Sequence, residues 1–249
     1  MTLSAPRFYC QMPLAAGEEI ALPEAAARHA VRVLRLQKGE AITLFNGAGG
    51  EYLGTIAAIE KDAVRVTLAA HSAAERESGL DVTLMQALAT SDKMDWIVQK
   101  AVELGVTRIQ PMLARRCVLR LEGERAEKRV AHWQAVAIAA CEQSGRNRVP
   151  QVWPLCSLVE ALDSARAALK ISLSPDEGAA LNSIEAARQP VAFFVGPEGG
   201  FSTEEQDAMR RAQCRFVSLG PRVLRTETAG VAALAAMQTL WGDWRPPRP

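Results

Sequence analysis

Two loops in this sequence combine glycine and proline with charged residues. They are Val195-Gly196-Pro197-Glu198-Gly199-Gly200-Phe201 and Leu219-Gly220-Pro221-Arg222-Val223-Leu224-Arg225-Thr226. A shorter third loop is Leu173-Ser174-Pro175. Glycine lets a ligand come close to backbone N–H and C=O groups, and proline holds such a loop rigid. That is chemistry for gripping a small organic molecule by its polar edges. Neither long loop matches G-x-G-x-x-G or G-x-x-x-x-G-K-[ST], which disfavours an ordinary dinucleotide or nucleoside triphosphate site. Taken alone, Gly-Pro-Glu-Gly-Gly fits a tight strand-to-helix turn equally well.

Other residue groups carry weaker signals. Lys93, Trp96, Lys100 and Glu103 recur every three or four residues, so on a helix they form one polar face with an aromatic in it. Arg28, Arg32 and Arg35, with His29 beside them, share a helix face in the same way. Between Arg115 and Arg148, eight Lys/Arg (Arg115 and Arg116 among them) outnumber four Glu. Either basic cluster alone reads as solvated surface; two of them in a chain of net charge +1 point to phosphate contacts. Glu142-Gln143-Ser144-Gly145-Arg146 closes a helix, where a cation suits the dipole, so Arg146 has a structural reason to be there. His29, His71 and His132 have no metal-ligand spacing, and no Ser–His–Asp or Cys–His grouping stands out. No metal is expected.

The elements that must position these residues fall into two regions. Residues 1–72 contain the β-type runs Ile42–Phe45, Tyr52–Ile59 and Val64–Leu68, separated by turn signals and preceded by a helix over Glu24–Arg35. This predicts a small β-barrel or meander. The polar stretch His71–Gly79 marks the boundary, and 73–249 form the second domain. There, strands at Val82–Leu88, Val106–Met112, Leu169–Leu173, Val191–Val195 and Arg215–Leu219 alternate with helices. The helices are Asp92–Leu104, with Asp92 as cap and Gly105 just past its end, then Glu124–Gln143, Ser202 to about Ala212, and Thr226–Trp241. Ser202-x-x-Glu205 is a capping box. Such alternation predicts an α/β domain with a mainly parallel sheet, whose ligands bind at the carboxyl ends of strands. All three loops fall at such ends.

Composition sets the outer limits. With 249 residues, 49% of them hydrophobic and 23% charged, the chain can bury a substantial core, which excludes wholesale disorder. The longest uncharged run, Thr228–Gly242, is shorter than the ~20 residues of a spanning helix. Pro6, Arg7 and Pro13 spoil a signal-peptide core. The five cysteines are scattered and never form C-x-x-C, as expected in a reducing compartment, so a cytoplasmic protein is expected.

Taken in order, five segments resemble one family. They are Ser91-Asp92-Lys93-Met94-Asp95-Trp96; Gln99-Lys100-Ala101-Val102-Glu103-Leu104-Gly105-Val106; Glu142 through Pro150; Phe194 through Phe201; and Leu219 through Ala229. They resemble the RsmE family of 16S ribosomal RNA uridine N3-methyltransferases, within the SPOUT (α/β-knot) superfamily. Pro6-Arg7-Phe8-Tyr9 and His29-Ala30-Val31-Arg32-Val33-Leu34-Arg35 resemble that family's PUA-like RNA-binding domain. The resemblance implies a C-terminal trefoil knot, S-adenosylmethionine (SAM) as methyl donor, a homodimer, and the 16S RNA of the 30S subunit as partner. By position it implies a cofactor pocket of Leu173, Val195, Gly196, Pro197, Gly200, Leu219, Gly220, Leu224, Arg225 and Thr226. It implies RNA contacts from Arg7, Arg28, His29, Arg32, Arg35, Lys93, Lys100, Arg115 and Arg116. Methylation at N3 needs an unpaired base and a stabilised uridine anion. Arg146 and Arg225 are the cations chosen for the anion, while Glu142 or Glu198 would accept the proton or orient an arginine. The alternatives are a SPOUT enzyme acting on transfer RNA or large-subunit RNA, and a non-catalytic RNA-binding protein of the same fold. The intact loops favour catalysis.

Overall fold

In the computed structural model, residues 5–61, 63–165, 169–175, 177–185 and 189–244 are described. The chain divides into two units, Met1–Glu77 with Cys141–Val149, and Ser78–Ala140 with Pro150–Pro249. The first contains β1 (Arg7–Tyr9), β2 (Glu19–Ala21), α1 (Glu24–Arg28), β3 (Ala41–Phe45), β4 (Glu51–Glu60) and β5 (Ala63–Ser72). Its sheet runs β1-β3-β4-β5-β2, with β1 parallel to β3 and the other pairs antiparallel. Val64, Val66 and Leu68 alternate inward along β5 and meet Phe8, Ile42, Leu44 and Ile56, all essentially buried. Each such side chain contributes roughly 1.5–3 kcal/mol by leaving water.

Polar pairing explains why 73–77 and 141–149 join this unit. Arg7 pairs with Glu51 and donates to Asn147 Oδ1 at 2.6 Å. Arg76 reaches Glu51 at 3.1 Å, and Arg146 reaches Glu77 at 2.6 Å. Glu77 also accepts the backbone N–H groups of Asn147 and Arg148. The unit thus extends past residue 72 and takes in a later segment. A boundary drawn from local composition does not register pairing across some seventy positions. The helix expected over 24–35 also differs: the α-helix stops at Arg28 and a π-helical turn spans His29–Val33.

The second unit contains β6 (Val82–Ala87), α2 (Ser91–Glu103), β7 (Arg108–Leu113), α3 (Gly123–Ser144, whose last residues belong to the first unit), β8 (Gln151–Val152), β9 (Cys156–Ser157), α4 (Leu158–Ser164), β10 (Leu169–Leu173), β11 (Ala179–Ala180), β12 (Val191–Val195), α5 (Thr203–Arg211), β13 (Arg215–Ser218) and α6 (Thr226–Leu240). Its sheet runs β11-β13-β10-β12-β6-β7-β8, with β9 also on β7, and every one of these pairs is parallel. The central strands β6 and β12 are buried at every position, as a sheet covered on both faces requires. Late in the sequence, β13 lies between β10 and β11 rather than at an edge.

Helix ends follow local chemistry, with one difference from expectation. Ser202 and Glu205 form the capping box that starts α5. In α2 the cap position is Thr90, and Asp92 sits in the first turn, where a carboxylate complements the helix dipole. Gly105 ends α2 at φ +80°; a Cβ there would lie 2.9 Å from Gln238 Nε2, which donates to Leu104 O at 2.8 Å. Only glycine allows both that turn and that close approach.

Candidate functional site

The carboxyl ends of β10, β12 and β13 meet the first turns of α5 and α6 around a cavity of about 630 Å³. That volume lies within the about 300–1,000 Å³ typical of small-molecule sites. Leu173, Val195, Gly196, Pro197, Gly200, Leu219, Gly220, Leu224, Arg225 and Thr226 all line it. Three loops separated by up to fifty residues in sequence therefore converge, because parallel neighbours place all their carboxyl ends on one edge of the sheet.

Backbone geometry leaves the walls open to a ligand. Gly200 has φ +68° and Gly220 φ +101°, and a Cβ built on either meets nothing within 4 Å. A larger residue at either position is disfavoured by backbone conformation, not by crowding within the protein. Thr226, 6% exposed, ties two of the loops together. Its hydroxyl donates to Gly196 O at 2.6 Å and accepts from Gln86 Nε2 at 3.2 Å. The start of α6 is thereby fixed to the loop that follows β12.

Charge at the cavity is arranged in pairs, with exceptions. Lys93 of α2 bonds Glu198 at 3.0 Å and lies 3.5 Å from Glu227 of α6. The hydrogen bond to Glu198 leads in holding the Lys93 ammonium above its ordinary range. Burial pushes the Glu198 carboxyl up, but backbone N–H groups and Lys93 outweigh it, so the net shift is downward. Both shifts favour the ionised pair; with each side chain partly exposed, its worth is at most about 1 kcal/mol. Arg116 lines the cavity and donates to Gly199 O at 2.9 Å. The Arg115 N–H donates to Glu205 Oε1 at 2.7 Å. Arg222 and Arg225 are exposed, and among the described residues neither guanidinium has a hydrogen-bond or ion-pair partner.

The remaining residues singled out in the sequence lie elsewhere. Of the four given a catalytic role, Arg225 and Glu198 line the cavity, whereas Glu142 and Arg146 belong to the first unit. There Glu142 Oε1 accepts the Tyr9 N–H at 2.9 Å, and burial raises its carboxyl above the ordinary range. Arg7 and Arg146 have nearly buried side chains engaged by carboxylates. Arg28, His29, Arg32 and Arg35 are exposed, with Arg28 paired to Glu24 at 2.8 Å and the His29 ring edge-on to Phe8. Lys100 pairs with Glu103 at 2.8 Å. Sequence reasoning missed Thr203, Gln206 and Glu227; the Ser202 capping box and the start of α6 are the signals that locate them.

Comparison with known proteins gives a consistent result. A model of an RNA methyltransferase domain matches residues 76–238, and a model of an RNA methyltransferase PUA domain matches residues 22–69. The chain is 30% identical over 244 residues to ribosomal RNA small subunit methyltransferase E of Buchnera aphidicola, covering 96% of this chain and 97% of that protein. It is 31% identical over 230 residues to the Bacillus subtilis protein of that name, covering 89% and 87%. Among solved structures, it is similar to ribosomal RNA small subunit methyltransferase E of Neisseria gonorrhoeae bound to SAM, with TM-score 0.91, 42% identity and 97% and 100% coverage. A Legionella pneumophila methyltransferase in complex with SAM superposes with TM-score 0.94, 36% identity and the same coverage.

Proposed function

We propose a reaction for this chain from the premise that it belongs to the family of small-subunit ribosomal RNA methyltransferases E, RNA methyltransferases with an α/β SPOUT domain preceded by a PUA domain. It transfers a methyl group from SAM to N3 of a uridine in 16S ribosomal RNA. The observation that carries this reading is the convergence of three strand-end loops on one cavity of ligand size. The residues present fit the cofactor. Leu173, Leu219 and Leu224 offer apolar walls, and Gly200 and Gly220 leave the backbone approachable. Those loops would hold the adenosine part of the cofactor.

When bound, SAM supplies an electrophilic methyl group on a sulfonium. The protein's own residues do the rest. Alignment of the acceptor nitrogen in line with that methyl is the largest contribution expected of a rigid pocket. Arg225, exposed at the cavity with a guanidinium that has no internal partner among the described residues, is placed to stabilise the uridine anion. Glu198, held ionised by Lys93, is better suited to orienting a cation than to taking a proton. Arg28, Arg32 and Arg35 are the first unit's exposed candidates for RNA phosphates.

The reading includes a homodimer built on α6. One face of α6 is buried within its unit through Gly230, Ala233, Leu234 and Met237, while Val231, Ala232, Ala235 and Leu240 are only half-buried. A thin, half-covered apolar face suits a second copy, and Trp244, 55% exposed, adds an anchor nearby. A cytoplasmic location follows from the RNA substrate. The reading is tested by offering the purified protein radiolabelled SAM with 30S subunits, 50S subunits and transfer RNA. Transfer confined to 30S subunits is the expected result; transfer only to another RNA selects that substrate instead, and no transfer to any of them leaves the non-catalytic reading.

A further inference from the structure

We propose that Arg222 and Val223 seat the nucleotide to be methylated, Val223 against one face of the extruded base and Arg222 on a phosphate beside it. The proposal rests on the reading that the cavity serves RNA methylation. Three observations on the loop after β13 carry it. Val223 is 80% exposed, although it belongs to a loop that lines the cavity. Arg222, beside it, lines the same cavity and has no hydrogen-bond or ion-pair partner among the described residues. The neighbouring cations Lys93 and Arg116 are both engaged, by Glu198 and by the Gly199 carbonyl.

An unpaired guanidinium next to a solvent-facing aliphatic side chain matches an extruded nucleotide. The base brings an apolar face and the backbone brings a phosphate at the adjoining position. Bases taken out of a stack are commonly held against apolar side chains, and guanidinium is well matched to phosphate oxygens. The pairing also divides the loop's work. Gly220 and Leu224 would face the cofactor, while Arg222 and Val223 would face the acceptor.

Three measurements on Arg222→Gln and Val223→Ser test this. They are SAM affinity by calorimetry, steady-state methylation of 30S subunits, and binding of a single-stranded uridine-containing oligonucleotide at several salt concentrations. Both changes are at exposed positions, so folding is checked by circular dichroism and expected to be unaltered. Arg222→Gln is expected to raise KM for 30S subunits about fivefold and to reduce the salt slope of oligonucleotide binding by about 0.7, one single-strand phosphate contact. Val223→Ser is expected to lower kcat/KM about fivefold without changing the salt slope. SAM affinity should stay within twofold of wild type in both. An unchanged KM and salt slope in Arg222→Gln overturns the proposal, as does a loss of SAM affinity that accounts for all the lost activity. If wild-type protein methylates no small-subunit RNA, the functional reading fails, and oligonucleotide binding with its salt slope still decides whether Arg222 meets a phosphate.

Discussion

Replacing Thr226 by valine removes one hydroxyl and almost no volume, at the point where the start of α6 is tied to the loop after β12. The change deletes the 2.6 Å bond to Gly196 O and the 3.2 Å bond from Gln86 Nε2. Gln86 Nε2 still donates to Ala87 O at 2.9 Å, so the Gly196 carbonyl is the principal group left unsatisfied. A fully buried acceptor stripped of its donor costs about 1–3 kcal/mol, and the part-buried Gly196 carbonyl should fall at the low end, about 1 kcal/mol. For a unit of this size that corresponds to a fall in melting temperature of about 2–4 °C per kcal/mol. Because Gly196 and Thr226 both line the cavity, SAM affinity should also fall, by about tenfold. Thr226→Ser keeps the hydroxyl and should recover most of both losses. Differential scanning calorimetry reads the stability and isothermal titration reads the affinity. Wild-type affinity in Thr226→Val, or a serine variant as damaged as the valine one, would refute the tie between α6 and the loop.

Other perturbations separate further parts of the account. Gly220→Ala, at φ +101°, should cost about 1–2 kcal/mol of stability from backbone strain and weaken SAM binding at least tenfold; unchanged affinity by calorimetry would remove this loop from the cofactor site. Because burial raises the Glu142 carboxyl, its ionisation opposes folding, so this group's contribution to stability falls as pH rises above the ordinary carboxylate range. Glu142→Gln can still accept the Tyr9 N–H, so urea denaturation should find it more stable than wild type at pH 7 and equal to it near pH 4; a less stable variant at pH 7 contradicts this. Glu51 has the opposite sign: burial raises it, but hydrogen bonds from Arg76 and Arg7 prevail and lower it. Its contribution is therefore present above the ordinary carboxylate range and lost in acid, and Glu51→Gln should flatten the acid limb of the first unit's stability profile, followed by denaturant melts between pH 2 and 7. Replacing Arg28, Arg32 and Arg35 together by alanine should lower the salt slope of RNA binding by about two to three units, and an unchanged slope assigns them to solvent.

Much of this architecture can be read from local chemistry. The strands Leu169–Leu173 and Val191–Val195 coincide with their expected limits, because short β-type runs soon ended by proline or glycine leave little choice. The start of α5 follows from Ser202-x-x-Glu205. The same signature at Ser157-x-x-Glu160 begins α4, which went unread because that helix is only seven residues long. Strands β1, β2, β8, β9 and β11 span two or three residues each, too few to show a period. The cavity lining was legible because each loop carries a proline and the two longer ones carry glycines as well. The carboxylate partners were not: Glu77 with Arg146, Glu51 with Arg7, and Glu227 with Lys93 are pairings that only tertiary structure brings about. Nothing in the sequence around Arg7 or Arg146 announces that they pair with Glu51 and Glu77.

The most direct measurement is mass spectrometric mapping of modified nucleosides in 16S ribosomal RNA from cells that carry this protein and from cells that lack it. Purified protein and SAM are then added to the unmodified 30S subunits. The expected result is one N3-methyluridine that disappears with the protein and returns in vitro, but not when Gly220→Ala protein is supplied. An N3-methyluridine content unchanged by removal of the protein, together with no methyl transfer to the 30S subunits, would contradict the assignment.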